Sequence, residues 1–237
     1  MKLTTVLFDL DGTLLPMDQD KFMHAYLGGL SAKMAPYGYE PKALIKALLD
    51  GTMAMYQNDG RRTNEELFWD VFADELGPGI RNYGDVLENF YRNEFQQVRH
   101  SCGFDPDAAK AIAALKDMGL RVVLATNPLF PAIATESRIR WAGLEPEDFE
   151  LYTTYEHCRY CKPNPAYFQE ILDKLGLEPG ECLMVGNDAG EDTAAEKLGI
   201  PVYLLPACLI NRHGRDISRY PQGSVLDLVE YVRGLMG

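Results

Sequence analysis

The sequence predicts an α/β protein: a doubly wound parallel sheet with an all-helical segment inserted after its first strand. Three observations support this prediction. Short apolar runs have the length and composition of buried strands, helical patterns alternate with such runs after about residue 103, and a long helical stretch separates the first run from the others. Strands that are apolar along their whole length are typical of parallel sheets covered by helices on both faces.

The first strand is predicted at residues 3–8 (LTTVLF), which are followed by two aspartates and a glycine. The next segment is different, because apolar residues recur there every three or four positions, as in Phe22, Tyr26, Leu30 and Met34. We predict about four helices and no strand in residues 17–97. These residues would form a helical domain, inserted into an α/β domain made of residues 1–16 and 98–237.

The remaining strands and helices alternate along the chain. Glycines at 119 and 199 follow two of the helices, where glycine commonly ends a helix. The predicted strands are residues 120–126, 151–154, 182–186 and 202–205. The predicted helices are residues 106–118, 133–141, 165–175, 189–198 and 225–235.

Composition restricts the partners that this chain is expected to have. Its 237 residues include 23 Lys and Arg against 35 Asp and Glu, a formal net charge of −12. Such a charge argues against binding nucleic acid or an anionic membrane, and an anionic substrate would need local cations. The sequence contains no apolar run of bilayer length and no signal-peptide pattern, and its five cysteines are expected to be reduced. We therefore expect a cytoplasmic protein, monomeric or homodimeric.

Polar residues follow the predicted strands at the edge where such sheets bind ligands. Asp9 and Asp11 follow the first strand, Lys162 precedes a helix in the turn KPNP, and the other candidates end two later strands. Those others are Thr126, Asn127, Asn187, Asp188 and Asp192.

These residue types suit chemistry on a phosphate. Clustered carboxylates repel one another unless a cation lies among them, and hard oxygen ligands favour Mg²⁺. One carboxylate can attack phosphorus, and a second, two residues away, can transfer the proton of the leaving group. Thr126 and neighbouring backbone amides can bind phosphate oxygens, while Lys162 supplies a permanent positive charge.

Four segments in this order, FDLDGTLL, ATN, KPNPAYF and VGNDAGED, resemble the four-part pattern of the haloacid dehalogenase (HAD) superfamily. The resemblance spans the chain and implies a Rossmann-like core with residues 16–97 as a helical cap. It implies that Asp9 is the nucleophile, Asp11 the general acid and base, and Lys162 the group that steadies the nucleophile and the phosphate. Thr126 and Asn127 would contact the substrate phosphate.

The resemblance also implies a magnesium site. Its ligands would be Asp9, Asp11 through its backbone carbonyl, and the acids after the strand at 182–186. Asn187 stands where an aspartate is often found, so Asp188 and Asp192 are taken as the acidic pair of the fourth motif. Which of these two touches the metal is left open.

The function expected from these residues is Mg²⁺-dependent hydrolysis of a small phosphorylated metabolite through an aspartyl-phosphate. A phosphomutase of the same family is the first alternative, since it differs only in the acceptor of the phosphoryl group. A non-catalytic phosphate-binding or receiver-like module is the alternative from another class. Metal-free dehalogenation is disfavoured, because it has no use for the second acid, Asp11.

Two further features of the sequence lie outside these four segments. Cys158 and Cys161 follow His157 in a CxxC pattern, but zinc sites usually need a second pair, so a loop with two thiols is favoured. Arg61 and Arg62 lie in a turn of the helical segment. They are more often solvated there than bound to an anionic substrate.

Overall fold

The computed structural model describes residues 2–237 and contains a four-stranded parallel sheet. The strands are β1 (Thr5–Phe8), β2 (Arg121–Leu124), β3 (Cys182–Gly186) and β4 (Val202–Leu204), in the spatial order β2-β1-β3-β4. In the central strand, Leu7 pairs with Val123 of β2 and with Met184 of β3. The predicted α/β fold is confirmed, and the first strand of the chain lies inside the sheet, where its carboxyl end is flanked on both sides.

Eight α-helices accompany the sheet in the described part of the chain. Four of them, together with short 3₁₀ segments, follow β1 and form the helical segment: α1 (Gln19–Met34), α2 (Pro41–Tyr56), α3 (Asn64–Leu76) and α4 (Gly84–Arg92). The others alternate with the later strands: α5 (Pro106–Asp117), α6 (Ala132–Trp141), α7 (Pro165–Leu175) and α8 (Val225–Met236). None of these helices combines the length and the apolar character that a membrane span requires.

The local signals that start these helices are visible in the structure. Asp18 accepts hydrogen bonds from two backbone amides at the start of α1. Thr63 and Glu66 form a reciprocal capping box at the start of α3. Asn164 caps α7, and Gly176 ends that helix in the left-handed conformation. The sequence prediction of α7 at residues 165–175 is confirmed to the residue.

Two predicted elements are shorter or tighter than expected. Residues 151–154 form no complete strand; Tyr152 makes a single bridge to Leu124 of β2. The chain turns away directly afterwards, since the Tyr155 amide donates to the Phe130 carbonyl outside the sheet. The helix predicted at 189–198 is a 3₁₀ segment, Asp192–Leu198, because the preceding loop is held in turns by hydrogen bonds to Asp188.

The two faces of β1 belong to different parts of the core. Val6 and Phe8 join a large apolar cluster that includes helices α1 to α4, whereas Leu7 joins the cluster on the other face. This alternation follows the two-residue period of a strand. The two connections to the helical segment lie side by side, since Met17 bridges Cys102 and the Gly103 amide donates to the Pro16 carbonyl at 2.7 Å. The division into residues 17–97 and the rest remains a prediction.

Candidate active site

Asp9 is the first residue beyond β1, and its carboxylate is held in one orientation. Its backbone amide continues the sheet by donating to the Val185 carbonyl at 2.9 Å. Its Oδ1 accepts a hydrogen bond from Lys162 Nζ at 3.0 Å, and its Oδ2 accepts one from Thr13 Oγ1 at 3.1 Å. Only 8% of Asp9 is exposed. The carboxylate is therefore desolvated and fixed, as a nucleophile needs to be.

Lys162 is the cation beside Asp9. Its side chain is fully buried, and Nζ lies between Asp9 and Asp192, 2.7 Å from Asp192 Oδ1. Burial disfavours the charged amine, but the carboxylates of Asp192 and Asp9 outweigh burial and hold the pKa of Lys162 well above its usual value. Lys162 thus keeps a permanent charge behind the carboxylate of Asp9.

Asp11 lies in a second ion pair that the sequence did not reveal. Its Oδ2 accepts a hydrogen bond from the guanidinium of Arg138, which belongs to α6 and has only 1% of its side chain exposed. The guanidinium also lies over the ring of Phe130, with 4.4 Å to the ring centroid. Asp11 Oδ1 is buried and has no hydrogen-bond partner in the described chain. Burial raises the pKa of Asp11 despite the opposing charge of Arg138.

The loop after β3 contains the acids of the fourth motif. A side chain at Gly186 would overlap the carboxylate of Asp192, so the close approach of Asp192 requires glycine there. Asp188 Oδ1 accepts hydrogen bonds from the Gly190 and Glu191 amides at 2.6 and 2.9 Å. Asn187 is buried, and its Oδ1 accepts a hydrogen bond from Thr13 Oγ1 at 2.9 Å.

Thr126 and Asn127 follow β2, as expected, but they make different contacts. Thr126 is buried, and its carbonyl accepts hydrogen bonds from Thr153 and Tyr167. Asn127 contacts the helical segment instead. Its Nδ2 donates to Glu191 Oε2 at 2.9 Å and to the Tyr56 hydroxyl at 3.2 Å.

Tyr56 closes this network, because its hydroxyl donates to Glu191 Oε1 at 3.2 Å. Tyr56 is the last residue of α2, so a side chain of the helical segment reaches the loop after β3. Burial raises the pKa of Glu191 to about 7 against the opposing charge of Lys162. Tyr56 carried no recognisable signal in the sequence, because it ends an ordinary helix, whereas Glu191 lies within the fourth segment, VGNDAGED, and was not assigned a role there.

A small cavity of about 160 Å³ brings most of the predicted residues together. Lys162 lies behind its wall rather than in it. Residues that the sequence analysis did not single out complete the lining, among them Tyr56, Glu191 and Arg212. The predicted residues in the wall are Asp9, Asp11, Thr126, Asn127, Asn187, Asp188 and Asp192.

Within residues 2–237, no three Asp, Glu, His or Cys side chains are placed to share a metal ion. The expected magnesium ligands stay a prediction. Protein cations lie beside three of the four expected acids: Arg138 pairs with Asp11, and Lys162 is shared between Asp9 and Asp192. Asp188 lines the cavity and forms no ion pair within the described residues.

The CxxC pattern and the arginine pair of the helical segment both lie outside this cavity. Cys158 and Cys161 are buried thiols, and burial raises the pKa of Cys158 to about 12, so it is protonated at neutral pH. Arg62 binds the exposed carboxylate of Asp70 at 2.5 Å, and Arg61 is largely exposed. Neither arginine lines the cavity.

Comparisons with known proteins point to one family of hydrolases. The family model of the haloacid dehalogenase-like hydrolases matches residues 3–199. The chain is 27% identical to the putative phosphatase YhcW of Bacillus subtilis (strain 168) over 138 residues, 58% of this chain and 60% of that protein. It is 26% identical to the phosphoglycolate phosphatase of Thiobacillus denitrificans over 215 residues, 87% of this chain and 84% of that protein.

Among solved structures, a 2-haloacid dehalogenase from Pseudomonas syringae pv. Tomato DC3000 superposes with a TM-score of 0.64 at 20% identity. The superposition covers 98% of this chain and 99% of that one. At this identity the likeness concerns the fold.

Proposed function

Because the chain belongs to the haloacid dehalogenase-like hydrolase family, we propose that it is a Mg²⁺-dependent phosphatase acting on a small phosphorylated metabolite through Asp9. The observation that carries the proposal is the placement of Asp9. Asp9 directly follows β1, and its carboxylate is desolvated and oriented by Lys162 and Thr13. Asp9 lines a small cavity together with Thr126. The phosphatase relatives support the same chemistry.

In the proposed reaction an Asp9 oxygen attacks phosphorus, and the bond between phosphorus and the ester oxygen breaks. The leaving oxygen takes a proton from Asp11, and burial raises the pKa of Asp11 in the direction that this step requires, against the charge of Arg138. Water then attacks phosphorus and loses a proton to Asp11 as the bond to Asp9 breaks. The products are an alcohol and inorganic phosphate.

Lys162 and Thr126 support both steps. Lys162 neutralises charge beside Asp9 without a change of protonation. Thr126 lines the cavity, and its hydroxyl and neighbouring amides are the groups proposed to bind phosphate oxygens.

The donor set at this edge fits magnesium in the form usual for phosphate enzymes, with one or two carboxylates and the substrate completing the shell. Asp9 and Asp188 are the side chains that would hold it, because both line the cavity, whereas Asp11 is paired with Arg138 and the Asp192 side chain is almost completely buried beside Lys162. The backbone carbonyl of Asp11 is the third proposed ligand. When bound, the cation neutralises the oxygens of the transferring phosphoryl group.

Turnover of 4-nitrophenyl phosphate with and without Mg²⁺ tests the proposal. Asp9→Asn keeps the size of the side chain but removes the attacking charge, so turnover is expected to fall to background. Asp20→Asn, in an exposed position of α1, is the matched control and should retain wild-type turnover. A substantial residual rate in Asp9→Asn would contradict nucleophilic attack by Asp9. Release of inorganic phosphate, rather than a rearranged ester, would distinguish a phosphatase from the mutase alternative.

Metal-free dehalogenation of a 2-haloacid is the second candidate, favoured by one observation. Asp11 would transfer no proton in such a reaction, and for that reason the sequence disfavours it. The structure, however, gives Asp11 another role as the partner of Arg138. Attack of Asp9 on a carbon atom, with departure of a halide, needs no proton for the leaving group. Halide release from (S)-2-chloropropionate in the presence of a chelator would support this candidate, and metal-dependent phosphate release would support the first.

A further inference from the structure

A larger chamber adjoins the cavity at Asp9. Its volume is about 570 Å³, a size typical of small-molecule sites. It lies between the helical segment and the loop that leads into α6, and three side chains, Met23, Leu129 and Phe130, line both spaces. A ligand with its phosphate at Asp9 would therefore meet the chamber on the far side of these residues.

The walls of the chamber are mainly apolar, and seven of the lining residues are aromatic. Several of the rings contact one another, as in the stacked pair of Phe68 and Phe72, whose centroids are 5.1 Å apart. Such walls bind apolar or aromatic groups, and their ring faces also attract cations. The rings are those of Tyr26, Phe68, Trp69, Phe72, Tyr91, Phe130 and Tyr155.

The charged side chains in the walls are mostly acids. Arg92 is the basic residue among them, and its guanidinium is bound to Glu88 at 2.5 Å. Glu65, Asp85 and Glu156 are the other acidic lining residues, and none of them forms an ion pair within residues 2–237. The chamber therefore carries an excess of negative charge over a predominantly apolar surface.

One carboxylate oxygen of Glu156 has no hydrogen-bond partner within the described residues. Its Oε1 accepts a hydrogen bond from the Ala132 amide at 2.8 Å, whereas its Oε2 is buried without any partner. Burial and the nearby Glu156 carboxylate raise the pKa of Glu65, so the two carboxylates repel each other. A buried carboxylate oxygen without a donor is costly unless a ligand supplies one.

We propose that this chamber holds the leaving group of the substrate, and that this group is an aromatic or apolar body carrying a protonated amine. The inference rests on the proposed function for the position of the phosphate only. The aromatic rings would enclose the body, and the ammonium group would lie beside the carboxylates of Glu65 and Glu156, which line the chamber. Anionic leaving groups such as glycolate, and uncharged sugars, lack the groups that these walls recognise.

Binding of three phenols to the full chain, measured by calorimetry, tests the chamber without any turnover. Tyramine carries the amine, 4-propylphenol is its uncharged counterpart, and 3-(4-hydroxyphenyl)propionate carries a carboxylate. We expect tyramine to bind about tenfold more tightly than 4-propylphenol, and the carboxylate to bind most weakly. Equal affinity for all three, or preference for the carboxylate, would overturn the proposal.

A matched pair of variants tests whether Glu156 causes the preference for tyramine. Glu156→Gln keeps an oxygen for the Ala132 amide but removes the charge, so the ratio of tyramine to 4-propylphenol affinity should fall close to one. Glu147→Gln, at an exposed position outside the chamber, should leave that ratio unchanged. An unchanged ratio in Glu156→Gln would refute the role of this carboxylate.

The phosphate esters of the same phenols connect the chamber to the reaction. If the chain is a phosphatase, kcat/KM should rank the esters in the order of the affinities of the free phenols. Preferential binding of tyramine without hydrolysis of any ester would support amine binding in the chamber and contradict the proposed phosphatase activity. Hydrolysis of all three esters at equal kcat/KM would support the phosphatase activity and contradict the chamber as its specificity site.

Discussion

The ion pair between Asp11 and Arg138 predicts a large effect from one substitution. Arg138→Met keeps an apolar stem of similar length against Phe130 but leaves the carboxylate of Asp11 without its cation. Removing one partner of a buried pair costs about 3–5 kcal/mol. Because 20% of the Asp11 side chain is exposed and can be hydrated, we place the loss near the lower limit, at about 3 kcal/mol. For a chain of this length that loss lowers Tm by about 6–12 °C.

Urea unfolding followed by circular dichroism measures this loss, and a second arginine of α6 supplies the control. Arg140 is half-exposed and pairs with Glu145 at 3.1 Å, so Arg140→Met should cost no more than about 1 kcal/mol. Asp11→Asn added to Arg138→Met removes the stranded charge and should recover at least about 1 kcal/mol. The reasoning fails if the two arginine variants are equally stable, or if Asp11→Asn destabilises the Arg138→Met protein further.

Four other outcomes are expected. Asp11→Asn should slow hydrolysis of an alkyl phosphate by about 100-fold and that of 4-nitrophenyl phosphate by much less, because the better leaving group needs less protonation; equal losses in kcat would argue against proton transfer. Tyr56→Phe removes the hydroxyl bridge between α2 and the loop after β3, and should raise KM while lowering Tm by no more than about 4 °C. Gly60→Ala should destabilise the fold more than Gly77→Ala: both glycines have a φ of 87°, but only at Gly60 would the new methyl group meet a tyrosine ring. Cys158 should react slowly with iodoacetamide at pH 8 in the native protein and rapidly in urea. Since its folded pKa is raised to about 12, stability should also fall as the pH rises above about 9, where the unfolded thiol ionises.

The sequence by itself determined which strand ends form the site. Apolar runs ended by glycine, asparagine or aspartate mark the carboxyl ends of β1, β2 and β3, and parallel strands place these ends at one edge. The bounds of β3 and α7 follow from local signals, such as Asn164 before the helix and Gly176 after it. For this reason the residues predicted after these strands line one cavity.

Only the tertiary structure decided how the charges in that cavity are balanced. Arg138 meets Asp11 across 127 positions of sequence, and Tyr56 meets Glu191 across 135. Neither residue stands out locally, because an arginine or a tyrosine in a helix has the same local pattern whether it is solvated or buried. The partner of such a side chain depends on how α2 and α6 pack against the rest of the fold. That packing is set by apolar contacts throughout the core, which no short stretch of sequence contains.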